Sequence, residues 1–236
     1  MINKAVAWHT FQQHHWIRLS LLGVLLLLVF LTSGGYDRNL LIGLTPFVVW
    51  LLGSGTIGRD MASGVNHLLF TRPISRREYI ITKWASLSVA VIAFQVVIFL
   101  TWVLGKLVYH SSFGITFELL QDFGIAIWVA IVLSPVVVCF STIMSGWGDL
   151  ALLLYVHVVV FVMRTSASNS NEFVTVITNF ILRLTWPGAK TAYHYVDSHL
   201  AEISYGDFVF DSAVAGVYLF SAIYLMNRKN IGNMST

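Results

Sequence analysis

The sequence predicts an all-α integral membrane protein: six transmembrane helices, an N-terminal interfacial helix, a short helix in a polar loop between spans two and three, and re-entrant or interfacial helices before span six. Three observations predict it. Only 11% of the residues are charged and 57% are apolar, where soluble domains carry roughly a quarter charged, and the mean hydropathy is +0.76. Charge-free runs occupy 19 to 36, 39 to 58, 84 to 105, 123 to 148, 150 to 163 and 212 to 227. A helix crosses the hydrocarbon with about 20 apolar residues, so three runs qualify outright, the first is adequate, and the two shortest borrow flanking interface. Finally, one long polar stretch, 58 to 83, interrupts these runs and carries five of the fourteen basic residues. Residues 1–236 are therefore read as a single transmembrane domain.

Residues 1–18 form the interfacial helix, with Ala5, Trp8, Phe11 and Trp16 on one side and Asn3, Thr10, His14 and Arg18 on the other. Aromatic rings on the apolar side suit the headgroup boundary. Span one runs from Leu19 to about Ser33, and the small residues Thr32 to Gly35 lack the A-x-A pattern of a cleaved signal, so it is read as retained. Span two runs from about Leu40 to Ile57, with Pro46 inside. Gly53, Gly55 and Gly58 spell G-x-G-x-x-G at the end of an apolar helix, with no strand before them. There, glycines serve close packing, not a dinucleotide.

In the polar stretch Asp60 is placed to cap a short helix whose apolar residues Met61, Val65, Leu68 and Leu69 share one face. Pro73 ends that helix, and Ser75 with Glu78 forms a capping box that starts the next one. The shape is helix, corner, helix. Span three follows, from Arg77 or Trp84 to Gly105, with one central amide, Gln95, which serves as an interhelix hydrogen bond or faces an aqueous path.

Between Asp122 and Arg164 the single charge is Asp149, beside the turn Ser145-Gly146-Trp147-Gly148, which divides spans four and five; Pro135 kinks the fourth. His157, inside the fifth, is either a packing histidine or a proton relay or ligand on the translocation path. The extracytoplasmic segment 164–207 holds a ten-residue apolar piece, Phe173 to Leu182, too short to span, and a corner at Trp186-Pro187-Gly188. Span six is about Phe208 to Met226.

Orientation follows from the basic residues. With the N-terminus inside, Lys4, Arg18, Arg59, Arg72, Arg76, Arg77, Lys83, Arg228 and Lys229 are inside, and Arg38, Lys106, Arg164, Arg183 and Lys190 outside. The positive-inside rule then puts both termini and the 58–83 loop in the cytoplasm of a plasma-membrane protein. The cluster Arg72, Arg76, Arg77 and Lys83 also suits anionic headgroups of the bilayer.

Chemistry of its own is scarce in this chain. No Walker A, H-E-x-x-H, G-x-S-x-G or C-x-x-C pattern occurs, and the lone Cys139 excludes an internal disulfide. The chain is not expected to be an enzyme or to hydrolyse ATP itself. His194, Asp197 and His199 offer a metal-ligand spacing, but a solvated polar loop is the commoner meaning, and no metal is expected. No nucleic-acid partner is expected either.

Asp60, Gly64, Leu68 and Leu69, Pro73, Ser75, Arg76 and Lys83 resemble the cytoplasmic loop of ABC-2 type permeases, the membrane subunits of ATP-binding-cassette exporters. The usual pattern there is Glu-x-x-x-Gly, Leu-Leu, Pro-x-Ser-Arg, Lys, and Asp60 stands where Glu is usual. The resemblance implies a permease subunit that pairs with a second copy, as a homodimer or with a related subunit, and with cytoplasmic nucleotide-binding ATPase subunits. ATP and Mg would be bound by those partners, with no cofactor in this chain. Met61, Val65, Leu68 and Leu69 would fill a groove on the ATPase as a coupling helix. Asp60 and Arg76 would orient it, Pro73 and Ser75 would stiffen the corner, and Gly64, Arg77 and Lys83 complete the coupling set. Gln95, His157, Trp186 and Pro187 are the candidate path or gate residues. Small members of the family suggest an exported peptide, such as a bacteriocin or antibiotic peptide. The alternatives are a non-transporting scaffold or sensor subunit and a histidine-dependent membrane enzyme.

Overall fold

The computed structural model of the protein describes residues 4, 6–8, 16–33, 39–62, 74–109, 117–144, 158, 172–188 and 205–228. Among these, all regular structure is helical: α1 (Trp16–Thr32), α2 (Asn39–Gly53), α3 (Gly58–Ala62), α4 (Arg76–Tyr109), α5 (Phe117–Ile143), α6 (Glu172–Thr185) and α7 (Tyr205–Arg228). Three of them, α4, α5 and α7, are long and apolar enough to cross a membrane. The chain is thus an all-helical membrane protein with several candidate spans.

The long helices outrun their charge-free cores. At 34 residues, α4 reaches about 51 Å at 1.5 Å per residue, well beyond a hydrocarbon layer of about 30 Å. It starts where the capping box predicts, with the Glu78 amide donating to Ser75 Oγ at 3.1 Å. It then continues four residues past Gly105. α5 begins six residues before the apolar run and takes Asp122 into its second turn. The helix also continues past Pro135, where the Ser134 hydroxyl donates to the Ala130 carbonyl at 2.6 Å.

By contrast, α2 stops at Gly53, four residues before the predicted end of span two. Gly55 has φ +69, a left-handed conformation that ends a helix cleanly when no Cβ is present. Close packing explains Gly53: a methyl there would lie 2.6 Å from Val137 Cγ1 and 2.8 Å from Leu87 Cδ2. The three glycines therefore serve a helix junction, as expected of small residues in apolar helices.

The helices α1 and α4 run in one direction, and α2, α5 and α7 run in the other. At one end, Gly53 meets Leu87 and Val137, the start of α3 meets Ser141, and Arg76 meets the end of α7. This is the loop end. At the far end, Gly105 lies against Ser33, Trp128 stacks edge-on to Phe208, and α6 is tied to the start of α7. Between them lies the main core, formed by Leu22, Val29, Val49, Leu87, Ile98, Val137 and Met226, all buried. A smaller group at Ile42, Ile125, Ala126 and Val129 packs around Trp128 and Phe208. Lys4 and residues 6–8 are helical; Val6 is buried in the main core and Trp8 is 66% exposed. Residues 150–163, read from the sequence as the fifth span and including His157, lie outside the described residues apart from Val158.

Candidate functional site: a sealed elbow between α2 and α4

The junction from Gly53 to Lys83 is built from buried polar contacts. After one turn the chain enters α3, five residues long with Asp60 in its first turn. Ile57 and Gly58 there have free amides, as at any helix start. Both donate to Ser141 Oγ on α5, at 2.9 and 3.2 Å. A side chain from a helix more than eighty residues away thus does the work that a local N-cap does elsewhere.

The Asp60 carboxylate is fully enclosed, and Lys83 Nζ lies 2.8 Å from its Oδ2 with both side chains 0% exposed. Tyr79 OH donates to the same oxygen. Tyr79 and Lys83 are four residues apart, hence on one face of α4, and the ammonium sits 5.6 Å from the Tyr79 ring centroid. A carboxylate sealed from water needs such partners, since an unpaired buried charge is costly. The triad joins α3 to α4 as Ser141 joins α3 to α5.

Arg76 binds in a third direction. Its Nη1 donates to the carbonyls of Met226 and Asn227, at 2.9 and 2.8 Å. These carbonyls end α7, where intrahelical donors run out and positive charge is favoured. Ser75 supplies the N-cap of α4, Arg77 is exposed, and Met61 is half-buried against the core. Gly64, Val65, Leu68, Leu69 and Pro73 lie outside the described residues.

Asp60 and Arg76, read from the sequence as polar contacts for a partner, are thus occupied within this chain. Helical periodicity shows which residues share a face. It does not show that a lysine 23 positions on closes over an aspartate, and Tyr79 and Ser141 carried no sequence signal beyond the i, i+4 spacing of Tyr79 and Lys83.

Among the gate candidates, Gln95 is buried and its Nε2 donates to Thr45 Oγ1 of α2 at 3.0 Å, an interhelix bond; its Oε1 meets no donor among the described residues. Trp186 packs on the core, and Pro187 and Gly188 are buried after α6. Gly188, at φ +92, presses on α5, where a methyl would lie 3.3 Å from Val129 and Val132. No group of possible metal ligands gathers among the described residues; His194, Asp197 and His199 lie outside them. The sequence reading also missed a far-end cluster in which Arg183 of α6 binds Asp207 and Asp211 of α7, at 2.7 and 3.2 Å.

These features define a helical membrane protein in which the described ends of the 58–83 loop are tied to α4, α5 and α7. Residues 4–223 match the family described as ABC-2 family transporter protein, and the chain belongs to that family. Comparison with curated proteins and with solved structures gave no match. The family is one of membrane transport components, typically non-catalytic permeases that work with an ATPase subunit.

Proposed function

We propose that this chain is a six-span permease subunit of an ATP-driven exporter, and that the 58–83 loop receives force from a separate cytoplasmic ATPase. One observation carries the reading: the loop is anchored to three spans at once, through Asp60 with Lys83 and Tyr79, through Ser141, and through Arg76 with the end of α7. A displaced surface helix moves spans only if its ends are fixed to them. The apolar residues Val65, Leu68 and Leu69 then contact the ATPase with Met61, while Asp60, Ser75, Arg76 and Lys83 hold the helix from behind. The basic residues around this loop favour the cytoplasm for the loop end and for both termini.

In this reading two copies, or this chain and a related one, pair across the membrane, and ATP shifts the pair between inward- and outward-open states. The substrate class we propose is an amphipathic peptide. Its support is the aromatic content: 14% aromatic residues give the spans rings for apolar and cationic side chains.

The test is co-purification in detergent of the tagged chain, intact and as Leu68→Asp/Leu69→Asp. The intact chain is expected to retain a Walker-containing protein with ATPase activity, and the variant to lose it. Absence of an ATPase from both would sink the exporter reading.

A further inference from the structure

We infer that α7 is a strut that carries movement of the 58–83 loop to α6 at the opposite face of the membrane, with Arg76 and Arg183 as the positioning residues at its two ends. The inference rests on the exporter reading and adds to it a route from the loop to the far side. α7 has 24 residues, a length of about 36 Å, enough to cross the hydrocarbon. Unlike α2 and α5, it contains no proline.

At its lower end, Arg76 holds the carbonyls of Met226 and Asn227, three residues after Pro73 of the loop. The Met226 side chain is fully buried, so that end is gripped by packing as well. At the upper end Arg183, two residues before the end of α6, lies between two carboxylates of α7. Its Nη2 is 2.7 Å from Asp207 Oδ1, its Nε is 3.2 Å from Asp211 Oδ1, and its guanidinium lies 4.1 Å from the Phe210 ring centroid. A planar fork bound to two carboxylates and a ring fixes direction as well as distance. α6 in turn exposes Phe173, Val176, Ile177 and Phe180. An arginine at each end joins the start of α4, where the loop ends, to α6 through one continuous rod.

Gly216 separates a strut from a hinge. A methyl there meets nothing within 4 Å, so Gly216→Ala stiffens α7 without a clash. A strut tolerates stiffening, whereas a hinge does not.

The experiment uses the permease with its co-purified ATPase in lipid nanodiscs. The native cysteine, Cys139, is buried and is replaced by Ala, and Phe180→Cys reports the position of α6 to a membrane-impermeant maleimide. The parent is expected to label at different rates with and without a non-hydrolysable ATP analogue. In Arg183→Gln that ratio is expected to fall to about one while the ATPase stays bound, and in Arg76→Gln to fall to about one in the complexes that retain the ATPase, with Arg183→Lys restoring part of it and Gly216→Ala leaving it unchanged. Should Arg183→Gln not fold, the Arg76 arm decides. Parent-like ratios in the folded glutamine variants, loss of the ratio in Gly216→Ala, or a parent that binds ATPase and shows no ATP-dependent labelling would each overturn the strut. A parent that retains no ATPase overturns the exporter reading and the strut with it, and the binding assay tells that case from the others.

Discussion

Two ion-pair clusters among the described residues, one at each end of the bundle, are built on opposite terms. At the loop end one carboxylate meets one ammonium and one hydroxyl, and Asp60 and Lys83 are both 0% exposed. At the far end one guanidinium serves two carboxylates, and the Arg183 side chain keeps 18% of its surface open. The sealed triad is closed to solvent, so no bulk water is at hand to replace a lost partner. The open cluster leaves Arg183 partly in reach of solvent, so a protein contact there can be exchanged for a solvent contact. We read the first as a joint sealed from solvent and the second as a joint that holds α6 to α7 through bonds that solvent can reach.

The largest effect is expected from breaking the joint on one side. Lys83→Met leaves Asp60 sealed without its cation and should cost about 3–5 kcal/mol, read as thermal unfolding of the purified protein in detergent. Asp60→Leu/Lys83→Met removes both charges and should recover most of that loss, because an apolar pair of similar volume needs no partner. If Lys83→Met unfolds with the parent, water reaches the joint and the contrast between the ends fails.

Arg183→Gln comes next, at about 1.5–3 kcal/mol for hydrogen bonds to charged groups. Glutamine retains one donor for Asp207 or Asp211, and solvent reaches the rim of the cluster. Raising the salt concentration should narrow the gap between Arg183→Gln and the parent, since partly exposed pairs are screened, and should leave that of Lys83→Met unchanged. An equal response to salt at both ends would show that exposure does not distinguish them.

Ser141→Ala isolates the remaining anchor of the elbow. It removes the shared acceptor of the Ile57 and Gly58 amides and should cost about 1–3 kcal/mol. In the proposed function it should also lower transport per ATP hydrolysed, as α3 loses its grip on α5. Normal coupling in a folded Ser141→Ala chain would remove α5 from the path of force and leave α4 and α7.

How much of this was legible in the sequence differs between the ends for the same physical reason. Charge-free runs located α4, α5 and α7, since hydrocarbon excludes unpaired charge. Taken alone they set the far end of α4 too early, because Lys106 was treated as a boundary, while the capping box carried its start past Lys83. Inside α4 both are buried, Lys83 against Asp60 and Lys106 at 5.3 Å from the Trp102 ring centroid. A charge with a partner does not end a helix. The capping box at Ser75 was legible because capping is local, whereas Gly55 shortened α2 through a backbone angle that spacing alone does not reveal. At the loop end a family pattern marked Asp60, Arg76 and Lys83 as a set, though without showing that they face inward. At the far end, Arg183, Asp207 and Asp211 belong to no recognised pattern and are 24 and 28 residues apart.

The smallest expected effect is the most discriminating for the elbow. Arg77 stands beside Arg76 and belongs to the same basic cluster, yet Arg76 is held by two α7 carbonyls and Arg77 is exposed. Arg77→Ala should change stability by no more than about 0.5 kcal/mol, as for most surface substitutions, and Arg76→Ala by more, since two helix-end carbonyls lose a charged donor. Binding should reverse the order. If the loop end faces anionic lipid, Arg77→Ala weakens association with acidic vesicles by about 1 kcal/mol, the contribution of one basic residue near such a surface. Arg76→Ala changes it less, because its charge is already spent on α7. Two neighbouring arginines would then divide the tasks of the loop, one holding a span and one meeting the membrane. Equal effects of the two variants in both assays would place Arg76 outside the joint.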